Sequence, residues 1–248
     1  MAKTLIIAEK PSVASDIARA LGGFTRHGDY FESDDHVLSS AVGHLLEITV
    51  PEEFEVKRGK WSFAHLPVIP PHFDLNPIAK SEARLKVLAK LLKRKDVTKL
   101  INACDAGREG ELIFRYIMQA TKTNKPISRL WLQSMTEGAI KTGFRQLRPG
   151  HELDGLAKAA ACRARSDWLI GMNATRALTK RLKSRKETTA WSAGRVQTPT
   201  LAMLVERELE ILRHVPLPYW AVEASFEHAG ARYAGAWYDP EFRDSSDE

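Results

Sequence analysis

The chain has 248 residues, room for one large or two ordinary domains, and its 44% hydrophobic content suffices for a real core. A formal net charge of +6 favours an anionic partner, and nucleic acid is the first candidate, although a basic surface can also be merely solvated. There is no run of 18 apolar residues and no signal-peptide pattern, so we expect no membrane segment. The two widely spaced cysteines, Cys104 and Cys162, predict no disulfide framework and fit a cytoplasmic location.

The chain begins with a predicted strand that leads into a helix. Residues 5–8 are apolar, Pro11 suits a first helical turn, and apolar residues then recur at helical spacing up to the glycine pair 22–23. Glu9 and Lys10 therefore lie between a strand end and a helix start. From this pattern alone, Glu9 could equally be an acid of a helix start, and Lys10 a surface lysine.

The region that follows predicts a hairpin, a loop and a helix. Residues 30–40 alternate around a turn, and His44 follows Gly43 soon after, where it could approach a phosphate, although a single histidine is more often structural. Residues 54–77, rich in proline and aromatic residues, predict an ordered loop packed on the domain. Residues 81–95 predict an amphipathic helix whose many basic side chains are best explained as a solvated face.

Residues 101–111, with the sequence INACDAGREGE, are the most informative stretch. A buried strand is predicted to end just before Asp105, and helical spacing resumes after Glu111. Asp105, Glu109 and Glu111 would then lie where an open α/β sheet binds ligands. Clustered carboxylates usually need a cation, but acids at a helix N-terminus, favoured by the helix dipole, explain this stretch equally well on its own.

The later part of the chain predicts a change of architecture. A further strand at 128–132 and a helix at 136–147, capped by Thr136, complete the strand–helix alternation of a parallel α/β sheet. Residues 153–183 predict a long helix, and residues 221–237 predict two strands that begin a β-rich domain. Between them, residues 192–199 form a polar loop before a helix, which suits phosphate binding but is also an ordinary helix start.

Six runs in a fixed order resemble the N-terminal part of the type IA DNA topoisomerases, closest to the topoisomerase III branch. They are residues 7–12, 43–47, 66–70, 105–112, 163–173 and 192–201. The resemblance implies an α/β Toprim domain with a parallel-type sheet over residues 1–150. It further implies a helical segment that binds single-stranded DNA over 151–216, and the first strands of a β-rich arch over 217–248.

The resemblance also implies an activity. The family cuts one DNA strand, passes another through the break and reseals it without ATP, using a tyrosine nucleophile from a later domain. None of the five tyrosines of this chain is assigned that role, so the chain is expected to supply half of an active site. Single-stranded DNA is the expected partner, whereas no protein partner is indicated.

Functional roles follow for the residues that match the family motifs. Glu9 and Lys10 are expected to be catalytic, and Mg²⁺ is the expected cofactor, held by Glu9, Asp105, Glu109 and Glu111. The family's Asp-x-Asp-x-Glu motif has Gly107 at its middle position here, which removes one expected ligand. The expected DNA-binding residues are Arg163, Asp167, Arg176, Ser192, Gly194, Arg195, Gln197 and Thr198.

Two other functions stay open at this point. One is a non-catalytic relative that only binds single-stranded DNA, motivated by Gly107 and by the missing tyrosine. The other is a metal-dependent nuclease or primase built on the same domain, against which the 192–201 run argues because those enzymes lack that element.

Overall fold

The computed structural model describes residues 2–50, 61–184 and 186–237. The strands of the N-terminal region are β1 (Lys3–Ala8), β2 (Thr25–His27), β3 (Tyr30–Glu32), β4 (His36–Ser40), β5 (Leu46–Thr49), β6 (Asp74–Pro77), β7 (Val97–Ala103), β8 (Ile127–Arg129) and β9 (Arg148–Pro149). The helices are α1 (Pro11–Leu21), α2 (Glu82–Leu92), α3 (Arg108–Thr121), α4 (Glu137–Arg145), α5 (Asp154–Leu182) and α6 (Gln197–Arg213). Two further strands, β10 (Glu223–His228) and β11 (Ala231–Ala236), follow α6.

A seven-stranded sheet in the order β2-β3-β4-β1-β7-β8-β9 forms the centre of the N-terminal region. Its middle strands β4, β1, β7 and β8 run parallel, while β2, β3 and β9 add antiparallel edges. The expected parallel-type α/β sheet is therefore confirmed at its centre. The short antiparallel edge strands make the whole sheet mixed.

Helices cover both faces of this sheet. Successive side chains of a strand point to opposite faces, and in β1 both sets are buried. Leu5 and Ile7 belong to a core cluster that includes apolar residues of α2 and α3. Ile6 and Ala8 belong to a second cluster that includes residues of α1 and α4. The result is a three-layer arrangement in which every central strand is followed by a loop at the same edge of the sheet.

Most predicted elements are present within a few residues of their expected bounds. Thr136 caps α4 as expected, since its side chain accepts a hydrogen bond from the Ala139 amide. The loop predicted over 54–77 contains strand β6 at its end, and its residues 54–60 lie outside the described residues. The last predicted strand ends at Ala236, and residues 238–248 also lie outside them.

The chain divides into two compact units, residues 1–198 and residues 199–248. In the first unit α5 packs against α3. The side chain of Asn173 on α5 also hydrogen-bonds both the N–H and the C=O of Val68. In the second unit β10 and β11 pair as an antiparallel hairpin. The boundaries expected at residues 150 and 216 remain predictions. No helix within the described ranges is both long and apolar enough to cross a membrane.

Candidate metal and phosphate site

Two neighbouring parallel strands bring the first two predicted acids together. Ala8 of β1 is in register with Ala103 of β7, and both strands end there. Glu9 follows one strand directly, and Asp105 follows the other after Cys104. The Asp105 amide donates a hydrogen bond to Glu9 Oε2 at 3.3 Å. Residues separated by nearly a hundred positions in sequence therefore meet at one edge of the sheet.

Lys10 completes this pair with a positive charge. Its Nζ lies 3.4 Å from Asp105 Oδ2, and both side chains are more than half exposed. Glu9 is only 9% exposed, so its carboxylate is enclosed while its neighbours face solvent. The arrangement is a recessed carboxylate beside an exposed ammonium–carboxylate pair.

Glu109, in the first turn of α3, joins the same edge through two basic partners. His44 Nε2 lies 3.3 Å from Glu109 Oε2, and Arg163 Nη1 of α5 lies 3.1 Å from Oε1. The loop that carries His44 follows β4, and its Gly43 has a φ of 72°, which favours glycine at that position. The segments that follow three parallel strands, together with α5, thus all contribute polar or charged side chains here.

Glu111 is placed apart from the other acids. It is 2% exposed, and its two oxygens accept hydrogen bonds from Arg115 Nε and Asn102 Nδ2, each at 2.9 Å. Arg129 Nε lies 3.2 Å from Oε2, an ion pair whose geometry falls short of a hydrogen bond. These buried contacts favour a structural role for Glu111 over the metal-binding role that the resemblance implies.

Cys104 is not a candidate nucleophile although it lies beside Asp105. Its thiol is buried, and burial raises its pKa well above the usual range. The thiol therefore stays protonated and packs in the core cluster of the sheet.

The side chains fit one mode of cation binding. Among residues 2–50, 61–184 and 186–237, no group of three His, Cys, Asp or Glu side chains is close enough to form a cation site by itself. Mg²⁺ commonly uses only one or two carboxylates, with waters and substrate phosphates as the remaining ligands. The carboxylate oxygens of Glu9 and Asp105 match that mode. Glu109 lies at the same edge of the sheet, where it contacts His44 and Arg163.

Gly107 has space for a larger side chain. Its φ of 175° is extended backbone that any residue adopts, and a Cβ built there meets nothing within 4 Å. The glycine is therefore not required by the fold at this position.

Three of the predicted DNA-binding residues form a chain of alternating charges. Arg163 Nε lies 3.7 Å from Asp167 Oδ2, and Arg195 Nε donates a hydrogen bond to Asp167 Oδ1. The Arg195 hydrogen bond lowers the pKa of Asp167, and Asp167 in turn raises the pKa of Arg195. Because Arg163 also contacts Glu109, charged contacts run from the acidic edge to the polar loop.

The polar loop is held by its own side chains and by α5. Gln197 Nε2 donates to Ser192 Oγ at 2.8 Å, and the Gly194 amide donates to Thr198 Oγ1 at 3.0 Å. The Ala193 amide donates to Thr175 Oγ1 on α5. The structure thus brings the five loop residues into one ordered turn beside Asp167.

Arg176 is placed differently from the other predicted DNA-binding residues. It is 7% exposed, and its guanidinium lies 5.4 Å from the centre of the Trp61 ring. This position favours a packing role over the DNA contact that the resemblance implies.

Two residues of the site were not among those predicted from the sequence. His44 contacts Glu109, and the signal available was its place after a glycine at the end of a predicted strand. Arg129 lies under the acidic stretch and is 1% exposed. The sequence offered one weak indication of its role, namely that a basic residue lies inside a predicted apolar strand.

Comparison with known proteins agrees with this architecture. Residues 4–135 match the model of the Toprim domain family, and residues 152–248 match a family model described as DNA topoisomerase. The chain is 42% identical over 227 residues to DNA topoisomerase 3 of Bacillus subtilis. It is 44% identical over 224 residues to the protein of the same name from Bacillus anthracis. The chain belongs to the type IA DNA topoisomerase family.

Within this family, the chain corresponds to an N-terminal portion of the topoisomerase III branch. The matches cover 92% and 90% of this chain, but it spans only 30% of the length of these relatives. The full-length topoisomerase I of Thermotoga maritima has the same fold over 98% of this chain and 36% of its own, with a TM-score of 0.58 and 23% identity. Toprim domains and type IA topoisomerases generally depend on a metal ion.

Proposed function

We propose that this chain supplies the metal- and phosphate-binding half of a topoisomerase III-like active site, together with a loop for single-stranded DNA. The whole reaction is ATP-independent cleavage of one strand, passage of another and religation. The tyrosine nucleophile would come from a later domain of the whole enzyme. The observation that supports this best is the meeting of Glu9, Lys10 and Asp105 at the carboxyl edge of two parallel strands.

Each side chain at this edge has a chemical task in the proposal. The Lys10 ammonium stabilises negative charge that develops on the phosphate. The recessed Glu9 carboxylate is suited to hold or move a proton at the reacting oxygen, or to support a metal. Mg²⁺, when bound through Glu9 and Asp105, would supply further charge stabilisation, with Glu109 as an additional oxygen donor.

The exposed ion pairs of the site can exchange partners. In the pairs Lys10–Asp105, Arg163–Glu109 and Arg195–Asp167, every side chain is more than a third exposed. Ion pairs on an exposed surface contribute little to stability, because water and salt screen them. Lys10, Arg163 and Arg195 can therefore leave their carboxylates for phosphate oxygens of a bound strand at little cost.

The second candidate function is binding of single-stranded DNA without cleavage. Gly107 is the observation that favours it, since one carboxylate of the family motif is absent. This alternative predicts salt-sensitive DNA binding with no strand cleavage in any context.

A chimeric enzyme would distinguish the two functions. The matching part of Bacillus subtilis DNA topoisomerase 3 is replaced by this chain, and relaxation of negatively supercoiled plasmid is measured without ATP over a range of Mg²⁺ concentrations. We expect Mg²⁺-dependent relaxation that Glu9→Gln in the chimera reduces by roughly a hundredfold or more. A chimera that melts cooperatively and binds single-stranded DNA like the parent, but never relaxes plasmid, would contradict the proposal.

A further inference from the structure

A buried network lies directly beneath the acidic edge. Arg129, at the end of β8, is 1% exposed, and its guanidinium donates hydrogen bonds to four backbone carbonyl groups. Burial of a guanidinium is costly unless it is paired, and its carboxylate partner is Glu111 in the first turn of α3. The proposed chemistry uses neither side chain, so the free-energy cost of burying these two charges calls for another explanation.

The carbonyl groups that Arg129 binds belong mainly to the strand end that leads into the site. Nη1 donates to the carbonyl oxygens of Asn102 and Cys104, at 3.1 and 2.7 Å. Nη2 donates to the carbonyl oxygen of Asp105 at 2.7 Å. One planar guanidinium therefore holds the backbone at the point where the Asp105 side chain begins.

The helix is tied to the same point from the other side. Asn102 Nδ2 donates to Glu111, and Asn102 Oδ1 accepts from the Cys104 amide at 3.0 Å. Gly110 packs so closely that a Cβ there would overlap the carbonyl of Asp105. Strand end and helix start thus share one set of contacts around the Asp105 backbone.

We propose that Arg129 and Glu111 are positioning residues that fix the Asp105 backbone, and through it the Asp105 carboxylate, at the cation and phosphate site. The role of the carboxylate rests on the proposed function. Supporting contacts of this kind typically change metal affinity by about 10- to 100-fold when removed. Glu111 then acts on the metal without touching it, from a position two residues after the last acid of the motif.

The test replaces both residues of the pair together, because removal of only one would leave the other charge buried without its partner. Replacement of both ions by apolar residues of similar size often leaves stability nearly unchanged. In the double variant Glu111→Met with Arg129→Met, we expect roughly 10- to 100-fold weaker Mg²⁺ binding by calorimetry. We also expect faster amide hydrogen exchange at residues 104–106, measured by NMR without metal.

The matched control is another Glu–Arg pair of the same compact unit. Glu32 and Arg94 form a 2.7 Å ion pair beside Asp96, which precedes β7 at the opposite end from the acidic edge. Replacing both by Met should leave Mg²⁺ binding and exchange at residues 104–106 unchanged. Equal effects from the two double variants would mean that general loosening is the cause and would overturn the positioning role.

A conservative variant keeps the test decisive if the double variant does not fold. Arg129→Lys retains the charge, but an ammonium cannot span the carbonyls that the planar guanidinium joins. Exchange at residues 104–106 should again be faster, and wild-type protection would overturn the proposal. If the wild-type chain shows no Mg²⁺ binding, the proposed function fails, while the exchange experiment still decides whether Arg129 fixes this backbone.

Discussion

At the scale of single residues, Gly107 is the position where this chain departs most from its family's motif. The backbone there is extended and a side chain would meet open space, so an aspartate is sterically allowed. Gly107 is also the N-cap of α3, a position that favours aspartate. The missing carboxylate can therefore be restored by the single substitution Gly107→Asp.

Gly107→Asp should strengthen Mg²⁺ binding by roughly tenfold, because it adds a carboxylate beside Asp105. It should also raise the melting temperature more in the presence of Mg²⁺ than in its absence, since the added charge repels the other acids until a cation is bound. Calorimetry and thermal melts with and without Mg²⁺ measure both effects.

Gly155→Asp is the matched control for this substitution. Gly155 lies in the first turn of α5, and a Cβ there also meets open space. It adds the same charge without a place in the acidic motif, so Mg²⁺ binding should not change. Unchanged Mg²⁺ binding in Gly107→Asp itself would count against the metal site at this edge.

The separation of Glu109 from Glu111 shows what could be inferred from sequence at this scale. Both were expected to bind the metal, but residues two positions apart on a helix point to different sides. Once α3 begins at Arg108, only one of the two can face the edge. The sequence therefore indicates that the two acids point in different directions. Which of them faces the edge depends on how α3 is rotated against the sheet, and the sequence pattern does not specify that rotation.

At the scale of elements, a cluster of ion pairs connects β3 with the segment that precedes β7. This cluster predicts that the stability of the fold depends on pH. Arg94, by hydrogen bonds to both carboxylate oxygens, and then Lys3 lower the pKa of Glu32 from 4.5 to about 2. A carboxylate with a lowered folded-state pKa stabilises the fold above its unfolded-state pKa. That contribution is lost as pH falls from about 4.5 toward 2.

Glu32→Gln should therefore lower the free energy of unfolding at pH 7 by about 1–2 kcal/mol and flatten its decline between about pH 5 and pH 3. Urea unfolding at several pH values measures the slope. Asp34→Asn, in the exposed turn before β4, is the control and should keep the wild-type slope. Parallel slopes for wild type and Glu32→Gln would refute the assigned contribution.

The central elements were predictable because their sequence patterns are strong. The apolar runs of β1 and β7 and the helical spacing of α1 and α3 are enough to place Glu9 and Asp105 at one edge of a parallel sheet. The edge strands β2 and β9 were not predicted. Each has only two or three residues, and none of them is buried, so neither leaves an apolar pattern.

At the scale of the whole molecule, order along the chain was more informative than any single motif. Six matched runs indicated the family, which the Toprim match over residues 4–135 and the Bacillus relatives confirm. Contacts such as His44 with Glu109, or Arg129 with the Asp105 carbonyl, could not be inferred in the same way. They depend on side-chain direction between elements that are distant in sequence.

We assign two separable tasks to the first compact unit. In the proposed function, the acidic edge would bind the cation, and the loop that carries Arg195 would bind the DNA backbone. Each phosphate contact that is lost should also reduce the salt dependence of DNA binding by about one unit of slope. The charged contacts between the two sites, from Glu109 through Arg163 and Asp167 to Arg195, are made by side chains that are at least a third exposed, so a substitution at one site should leave the other largely intact.

The most direct test of this division measures both tasks on the same three proteins. Mg²⁺ titration by calorimetry and binding of a fluorescent single-stranded oligonucleotide without metal are compared for wild type, Asp105→Ala and Arg195→Ala. We expect Asp105→Ala to weaken Mg²⁺ binding at least about tenfold with DNA binding retained, and Arg195→Ala to weaken DNA binding with Mg²⁺ binding retained. An unchanged Mg²⁺ titration for Asp105→Ala would contradict the central claim.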